Sequence, residues 1–381
     1  MPFLSQELVD AILAEVDDLD SLKACSLVDP RFRVPSQRVL LDRITLSGWS
    51  KAGNCHLENY GAARTLLQQS PHIARYITGL KLELHVPLLD TDSLQWVLQQ
   101  LVNVRQFSLR GSYGPMRWTL HLTHLPSALS EALLDFVSRQ HLHRLCVSQV
   151  GGIPGEILLT AAPSLSLFHV TLEKGVPDTP RSDVSPIVHD FVLQAGCDYV
   201  FPMLKYFRPY LSTLRRVCVY SKQEFIDAIL EPAANSLEYI HLVCNDPEGS
   251  RLSLPSLRSL RTLECTISSH GQERAELPYL MDDISTLLNS HASPVLVDIV
   301  MTFPARERLS TGSMRALDRA LVAHPAGPSI RWRMDFKAGD WATRFTRFRE
   351  RLIMGLPETH ALGRLVVEEY RPNREAWYSP S

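Results

Sequence analysis

No apolar run in the 381 residues reaches the roughly 20 that a membrane-spanning helix requires, so no such helix is expected. Net charge is nearly absent too: 39 Lys and Arg stand against 41 Asp and Glu, with an isoelectric point near 6.7. A balanced chain lacks the long-range field that draws a protein onto nucleic acid or an anionic membrane, and neither is expected as a partner. The first residues are acidic, and no small-residue cleavage site follows an apolar core. A secretory leader is therefore not expected, and no lipidation motif is present.

Seven cysteines form an odd set without a single C-x-x-C. Cys146, Cys218, Cys244 and Cys265 fall in apolar strand patterns, where a free thiol packs as a small hydrophobe. This reads as a reduced protein of the cytosol or nucleus, with core thiols rather than disulfides. Catalytic signatures are missing as well. There is no G-x-S-x-G elbow, H-E-x-x-H, Walker loop or dinucleotide fingerprint. Gly151-Gly152-Ile153-Pro154-Gly155 lacks the Lys-Ser/Thr of a phosphate loop and reads as a tight strand-to-helix turn. His121, His124, His141 and His143 have no carboxylate or cysteine at ligand spacing, so no metal is expected. The arginines of Trp341–Met354 (Arg344, Arg347, Arg349, Arg351) read as a solvated helix face. Neither catalysis nor a cofactor is expected.

The first forty-odd residues are dense in pattern. Leu4, Leu8, Val9, Ile12, Leu13 and Val16 recur at three- and four-residue steps and predict one helix with a continuous apolar face. Asp20 is the expected N-cap of a second helix through Leu22, Cys25, Leu27 and Val28, which Pro30 ends. Pro35 suits the first turn of a third, Ser36 to Asp42. A unit this small cannot bury all its apolar surface, so part of it should meet another protein or the rest of the chain.

These residues resemble the F-box family, most of all its fungal members. Leu4-Ser5-Gln6-Glu7-Leu8 with Ile12 is similar to the family opening L-P-x-E-L-L-x-x-I. Cys25-Ser26-Leu27-Val28-Asp29-Pro30-Arg31-Phe32 is similar to V-S-x-V-C-[KR]-x-W. Ser5, Asp29 and Phe32 stand where the family carries proline, cysteine and tryptophan. The resemblance implies docking onto the Skp1 adaptor of a cullin ubiquitin ligase, with Leu4, Ser5, Leu8, Ile12, Val28, Asp29 and Phe32 at the contact.

Beyond the helices, short strands alternate with helical patterns, which implies parallel pairing through crossovers. Strands are expected at 80–84, 105–109, 145–150, 167–172, 216–220, 239–244, 260–267, 296–302, 330–336 and 365–367. Helices are expected between them, Ile187–Ala195 included. Leu142-x-x-Leu145-x-Val147, Leu214-x-x-Val217-x-Val219, Leu237-x-x-Ile240-x-Leu242 and Leu260-x-x-Leu263-x-Cys265 share the L-x-x-L-x-L core of a leucine-rich repeat, without its asparagine. Repeat centres at Leu82, Leu109, Val147, Val170, Val219, Leu242 and Cys265 give steps of 27, 38, 23, 49, 23 and 23. The expected fold is α/β: a three-helix F-box-like domain (1–47), a leucine-rich-repeat-like parallel solenoid (48–370) and a loose tail (371–381). Gly175–Pro186 and Ser268–Pro278 read as exposed loops.

Alternation along the strands turns Lys81, Glu83, Arg110, Ser148, His169, Thr171, Tyr220, Tyr239, His241, Glu264, Arg331 and Arg333 outward. Arg110, Ser148, His169, Tyr220, His241, Arg331 and Arg333 are the candidate contacts for a target protein. The implied role is a non-enzymatic substrate receptor bridging Skp1 and an unknown protein. The alternative is an interaction scaffold whose N-terminal helices only cap the repeats.

Overall fold

The computed structural model describes residues 4–48, 59–86, 88–113, 119–173, 187–194, 196–197, 200, 204–220, 224, 226–244, 253–267, 278–289, 292–304, 311–335 and 341–370. The loop Gly175–Pro186, all of Ser268–Pro278 but its last residue, and the tail Arg371–Ser381 lie outside these residues. The chain forms two compact units, one of residues 1–187 with 196–203 and the other of 188–195 with 204–381. Both are α/β with parallel strands, and no described helix is long and apolar enough to cross a membrane.

The first unit opens with α1 (Gln6–Ala14), α2 (Leu19–Val28) and α3 (Pro30–Leu41). It continues through β1 (Arg43–Ser47), α4 (Tyr60–Gln69), β2 (Gly79–Val86), α5 (Thr91–Gln100), β3 (Gln106–Tyr113), β4 (Leu120–His121) and α6 (Ser127–Arg139). Then come β5 (Arg144–Ser148), β6 (Val150–Ile153), α7 (Gly155–Ala161), β7 (Ser164–Phe168) and β8 (Thr171–Leu172). Strands β1, β2, β3, β5 and β7 pair in that order, all parallel, while β4, β6 and β8 make a small second sheet. Register stacks Leu46, Leu82, Leu109, Val147 and Leu167 in one buried row and Ile44, Leu80, Phe107, Leu145 and Leu165 in the next. Phe136 of α6 meets Phe107 edge to face at 5.1 Å.

The second unit contains β9 (Asp190–Leu193), β10 (Arg216–Tyr220), β11 (Tyr239–Cys244), β12 (Thr262–Ile267), α8 (Pro278–Asn289) and β13 (Asp298–Pro304). After these come α9 (Thr311–Ala323), β14 (Ser329–Asp335), α10 (Trp341–Gly355), α11 (Pro357–Ala361) and β15 (Leu365–Tyr370). The seven strands pair in chain order and in parallel. Val219, Leu242, Cys265, Met301 and Trp332 share one fully buried row, and the Trp332 indole stacks on Phe303 at 5.0 Å.

One hydrogen-bond pattern recurs in both units. The carbonyl of the residue just before a strand accepts two successive N–H groups from the next repeat. Thr78 receives Arg105 and Gln106, Arg105 receives His143 and Arg144, and Arg215 receives Glu238 and Tyr239. Glu238 receives Arg261 and Thr262, and Arg261 receives Val297 and Asp298. Side chains at the same bends add a second link. Asn103 donates to the Arg75 carbonyl, Gln140 to Leu101, Thr213 to Val188, Ser236 to Leu214 and Ser259 to Asn235. The place of the missing asparagine is taken in the first unit by Val150 and Val170, both buried.

Four sequence expectations are corrected. The helix expected at Ile187–Ala195 is replaced by a strand, Asp190–Leu193, which pairs with β10. The strand expected at 167–172 is broken by His169, whose φ of +49° turns the chain from β7 into β8. Leu167, not Val170, is thus in register with Val147. Pro30 does not merely stop α2; it occupies the first turn of α3 behind the Asp29 cap, and Pro35 lies inside that helix. Cys146 and Cys218 sit on the polar face, whereas Cys244 and Cys265 are core thiols.

Candidate functional site

Local capping builds the N-terminal helices. Asp18, two residues before the expected Asp20, caps α2 by accepting Ser21 N–H at 2.8 Å, and hydrogen bonds from the Ser21 side chain and backbone together hold its carboxyl below the usual range. Asp29 accepts Arg31 N–H at 2.8 Å and pairs with the Arg31 guanidinium at 3.3 Å, which lowers its carboxyl likewise. Pro35 has no N–H to give the Arg31 carbonyl four residues back. Gln6 Nε2 supplies the missing donor at 3.2 Å and so ties α1 to α3.

The three helices close a small core of Val9, Leu13 and Leu22, with Val16, Cys25, Phe32, Val39 and Leu40 packed around it. The continuous apolar face expected of α1 is therefore divided. Val9, Leu13 and Val16 turn inward. Leu4, Leu8 and Ile12, at four-residue steps, form a second stripe that is 49, 47 and 47% exposed. Leu27 and Val28 at the end of α2 are 81 and 78% exposed. Of the predicted adaptor contacts, Leu4, Ser5, Leu8, Ile12 and Val28 thus lie on the surface. Asp29 is a half-buried cap, and Phe32 packs against the helical core.

The polar face of the first sheet is wired internally. Lys81 Nζ lies 2.9 Å from Glu83, with His85 3.8 Å from the other carboxylate oxygen. Burial opposes ionisation of Glu83, yet Lys81, Arg110 and His85 together hold its carboxyl below the ordinary value. Arg110 Nε donates to Gln149 Oε1 at 3.2 Å, and Gln149 takes a positive φ of 57° after β5 as His169 does after β7. Ser148 is half-buried, in register with Arg110 and Phe168. His169 meets the Phe168 ring at 4.3 Å, and a side chain at Gly196 would collide with its imidazole.

The second sheet carries a longer network. Arg216 lies over the Tyr239 ring, and Tyr239 donates its hydroxyl to Glu264 at 2.5 Å. Glu264 also takes Arg333 Nη1 at 3.5 Å, while Arg333 Nε donates to Glu368 at 2.5 Å and Arg331 lies 3.8 Å from the same carboxylate. Register puts Val300 and Thr302 of β13 between Arg333 on β14 and Glu264 on β12. The Arg333 side chain crosses roughly two strand spacings of about 4.8 Å each. Val300 and Thr302 below it are buried.

His241, expected to point outward, is 3% exposed. Its Nδ1 faces Cys218 Sγ at 3.4 Å and its Nε2 meets Thr266 Oγ1 at 2.9 Å. The imidazole is boxed in by neighbouring strands. Burial pulls its pKa below the ordinary value, against Glu264 and with Arg333. Burial also pushes the Cys218 thiol up to about 12, so this Cys–His pair is not an activated nucleophile. Tyr220 is placed only by its backbone, opposite Val243. Arg331 and Arg333 do share a face, but both are already engaged by carboxylates, which the sequence does not reveal. No group of three or more potential metal ligands occurs among the described residues.

The glycines at 151–152 lie within β6 rather than in a turn after it. Gly152 has a φ of +71°, and a Cβ there would stand 2.3 Å from the His121 ring. They make room for His121, not for a phosphate. No protein-family model matches the chain, and no curated protein matches it.

Proposed function

We propose that this chain is the substrate-recognition subunit of a Skp1–cullin–F-box ubiquitin ligase. In this reading α1–α3 are the F-box, the parallel strands form a leucine-rich-repeat-like solenoid, and the polar faces receive a target protein. The observation that carries it is the aliphatic surface left over on a helical unit whose own core is complete. Leu4, Leu8, Ile12, Leu27 and Val28 are spared by the internal packing of Val9, Leu13 and Leu22. Full burial of such a side chain is worth roughly 1.5–3 kcal/mol, of which about half remains to be gained at Leu4, Leu8 and Ile12 and most at Leu27 and Val28, and this makes them natural contacts for an adaptor. The bend-to-bend hydrogen bonds support repeats that hold together through nearest neighbours.

The chain itself would perform no chemistry. It would hold a target near the ligase's ubiquitin-charged enzyme, and proximity lowers the barrier. The target would meet Arg110 and Ser148 on the polar face of the first unit, or Arg331 and Arg333 on that of the second, rather than His241. The test is capture of recombinant Skp1 by the purified chain, compared with Leu8→Asp/Val28→Asp, two positions outside the helical core. Capture by the wild type and loss in the variant are expected. A folded wild-type chain that captures no Skp1 refutes the reading.

A further inference from the structure

The strand order of the second unit ends at β15, which among the described residues has a paired inner edge and an outer edge with no strand partner. Its inner edge follows from one bond: the Arg364 carbonyl accepts Ile330 N–H at 2.9 Å. Backbone groups alternate sides along a parallel strand. Those of Arg364, Val366 and Glu368 therefore face β14, and those of Leu365, Val367 and Glu369 point outward.

The side chains of this last strand are also less covered than those of its neighbour. Ile330 and Trp332 are fully buried, while Leu365 and Val367, their partners in register, are only half-buried. Val366 on the opposite face is 41% exposed. Leu362 and Met354, in the segments leading into the strand, are exposed as well. An open, partly apolar edge is a template for another strand.

We propose that the outer edge of β15 pairs with β15 of a second copy of this chain, antiparallel about a two-fold axis at Val366. The sequence selects both the partner and the register. A two-fold perpendicular to the sheet keeps each side chain on its face, so the axis falls on a residue. Centred on Glu368, two carboxylates would stand directly opposite each other, which is destabilising. Centred on Val367, Leu365 and Val366 would face Glu369 and Glu368; centred on Leu365, Arg364 would face Val366 and Gly363 would leave Val367 without a side-chain partner. Centred on Val366, Leu365 faces Val367 twice on the core side. Val366 faces its own copy on the polar side, and Arg364 stands opposite Glu368 on each flank. The pairs Leu365–Val367 are then the hydrogen-bonded ones, since both residues turn their N–H and C=O outward. Such an isologous contact closes at two copies.

Three measurements on the full chain test this. Light scattering after size exclusion should give twice the 43.0 kDa mass of one chain. Val366→Cys should form a disulfide-linked dimer under mild oxidation that neither the wild type nor Thr262→Cys, on the same face at mid-sheet, forms. Val367→Pro removes an outward donor without touching the ladder to β14, and edge strands tolerate proline at such positions. It should yield a monomer with unchanged circular dichroism and a melting temperature that no longer rises with chain concentration. A wild-type monomer at tens of micromolar, an open-ended polymer, or a dimer that survives Val367→Pro would each overturn the proposal. Val366→Cys that fails to cross-link while the dimer persists would overturn the register. Adaptor capture is read separately, so loss of the dimer leaves the ligase reading untouched.

Discussion

Asp318 is the buried carboxylate whose removal should be felt most in the second unit. Helix α11 has only five residues, too short to persist alone, and its first N–H groups need partners from outside it. Each is accounted for. Pro357 has none to satisfy, His360 N–H goes to the Leu356 carbonyl, and Asp318 on α9 takes the other two. Asp318 Oδ2 accepts Glu358 N–H at 3.1 Å, while Oδ1 accepts Thr359 N–H at 2.9 Å and the Thr359 hydroxyl at 2.6 Å. Asp318→Ala would strand two backbone donors and a hydroxyl in a site where both Asp318 and Thr359 are buried. Each stranded group costs about 1–3 kcal/mol, and since relaxation and water recover part of the sum, a total of about 3–5 kcal/mol is expected. Asp318→Asn keeps the oxygen for Thr359 but turns an NH2 toward Glu358 N–H, so it should cost roughly half as much. Urea unfolding read by circular dichroism and by fluorescence, which senses the buried Trp332, measures both. A loss below about 1 kcal/mol for Asp318→Ala would show that α11 is not held by this carboxylate.

Further outcomes follow from the same geometry. Gly152→Ala meets both a positive φ and the His121 ring, so it should destabilise the first unit by about 1–3 kcal/mol. His121→Ala should relieve only the steric part of that cost. His241 is neutral in the folded chain because burial depresses its pKa, so its contribution to stability is present above the ordinary pKa of 6.5 and is lost as pH falls below it. Replacing it in His241→Gln should flatten the acid side of the stability profile. The Cys218 thiol, raised from 9.0 to about 12, works in the opposite sense, and its contribution is lost as pH rises from 9.0 through about 12. At pH 8 that rise lowers its thiolate fraction roughly a thousandfold, so iodoacetamide should label Cys218 only when the chain is unfolded.

Much of the fold can be read from the sequence because each L-x-x-L-x-L core sets its own register. Leu142, Leu145 and Val147 are buried as the pattern requires, and the same holds for Leu237, Ile240 and Leu242. The reading fails at β9, where Ile187, Val188, Phe191 and Val192 have the i, i+1, i+4, i+5 spacing of a helix face. Pairing with β10 and the Thr213 bond to the Val188 carbonyl decide that segment, and both partners lie more than twenty residues away. It fails again at His169, since nothing local distinguishes a strand that continues from one that turns through positive φ.

The candidate contacts show where alternation stops being informative. It assigns a side chain to a face of the sheet but not to solvent. His241 lies on the predicted face and is buried there, because Cys218 and Thr266 on adjacent strands enclose its ring. Arg333 lies on the same face with enough length to cross β13, and it roofs Val300 and Thr302 on its way to Glu264. Both outcomes depend on side-chain length and register across strands, and neither is written in the strand that carries the residue. The N-terminal helices divide by a similar logic. Spacing makes one broad apolar face of α1, and only the approach of α2 and α3 separates Val9 and Leu13, spent on the core, from Leu4, Leu8 and Ile12. The surface offered to a partner is what the neighbouring elements leave uncovered, which is why the proposed contacts of this chain lose His241 and Phe32, gain Leu27 and keep Arg331 and Arg110.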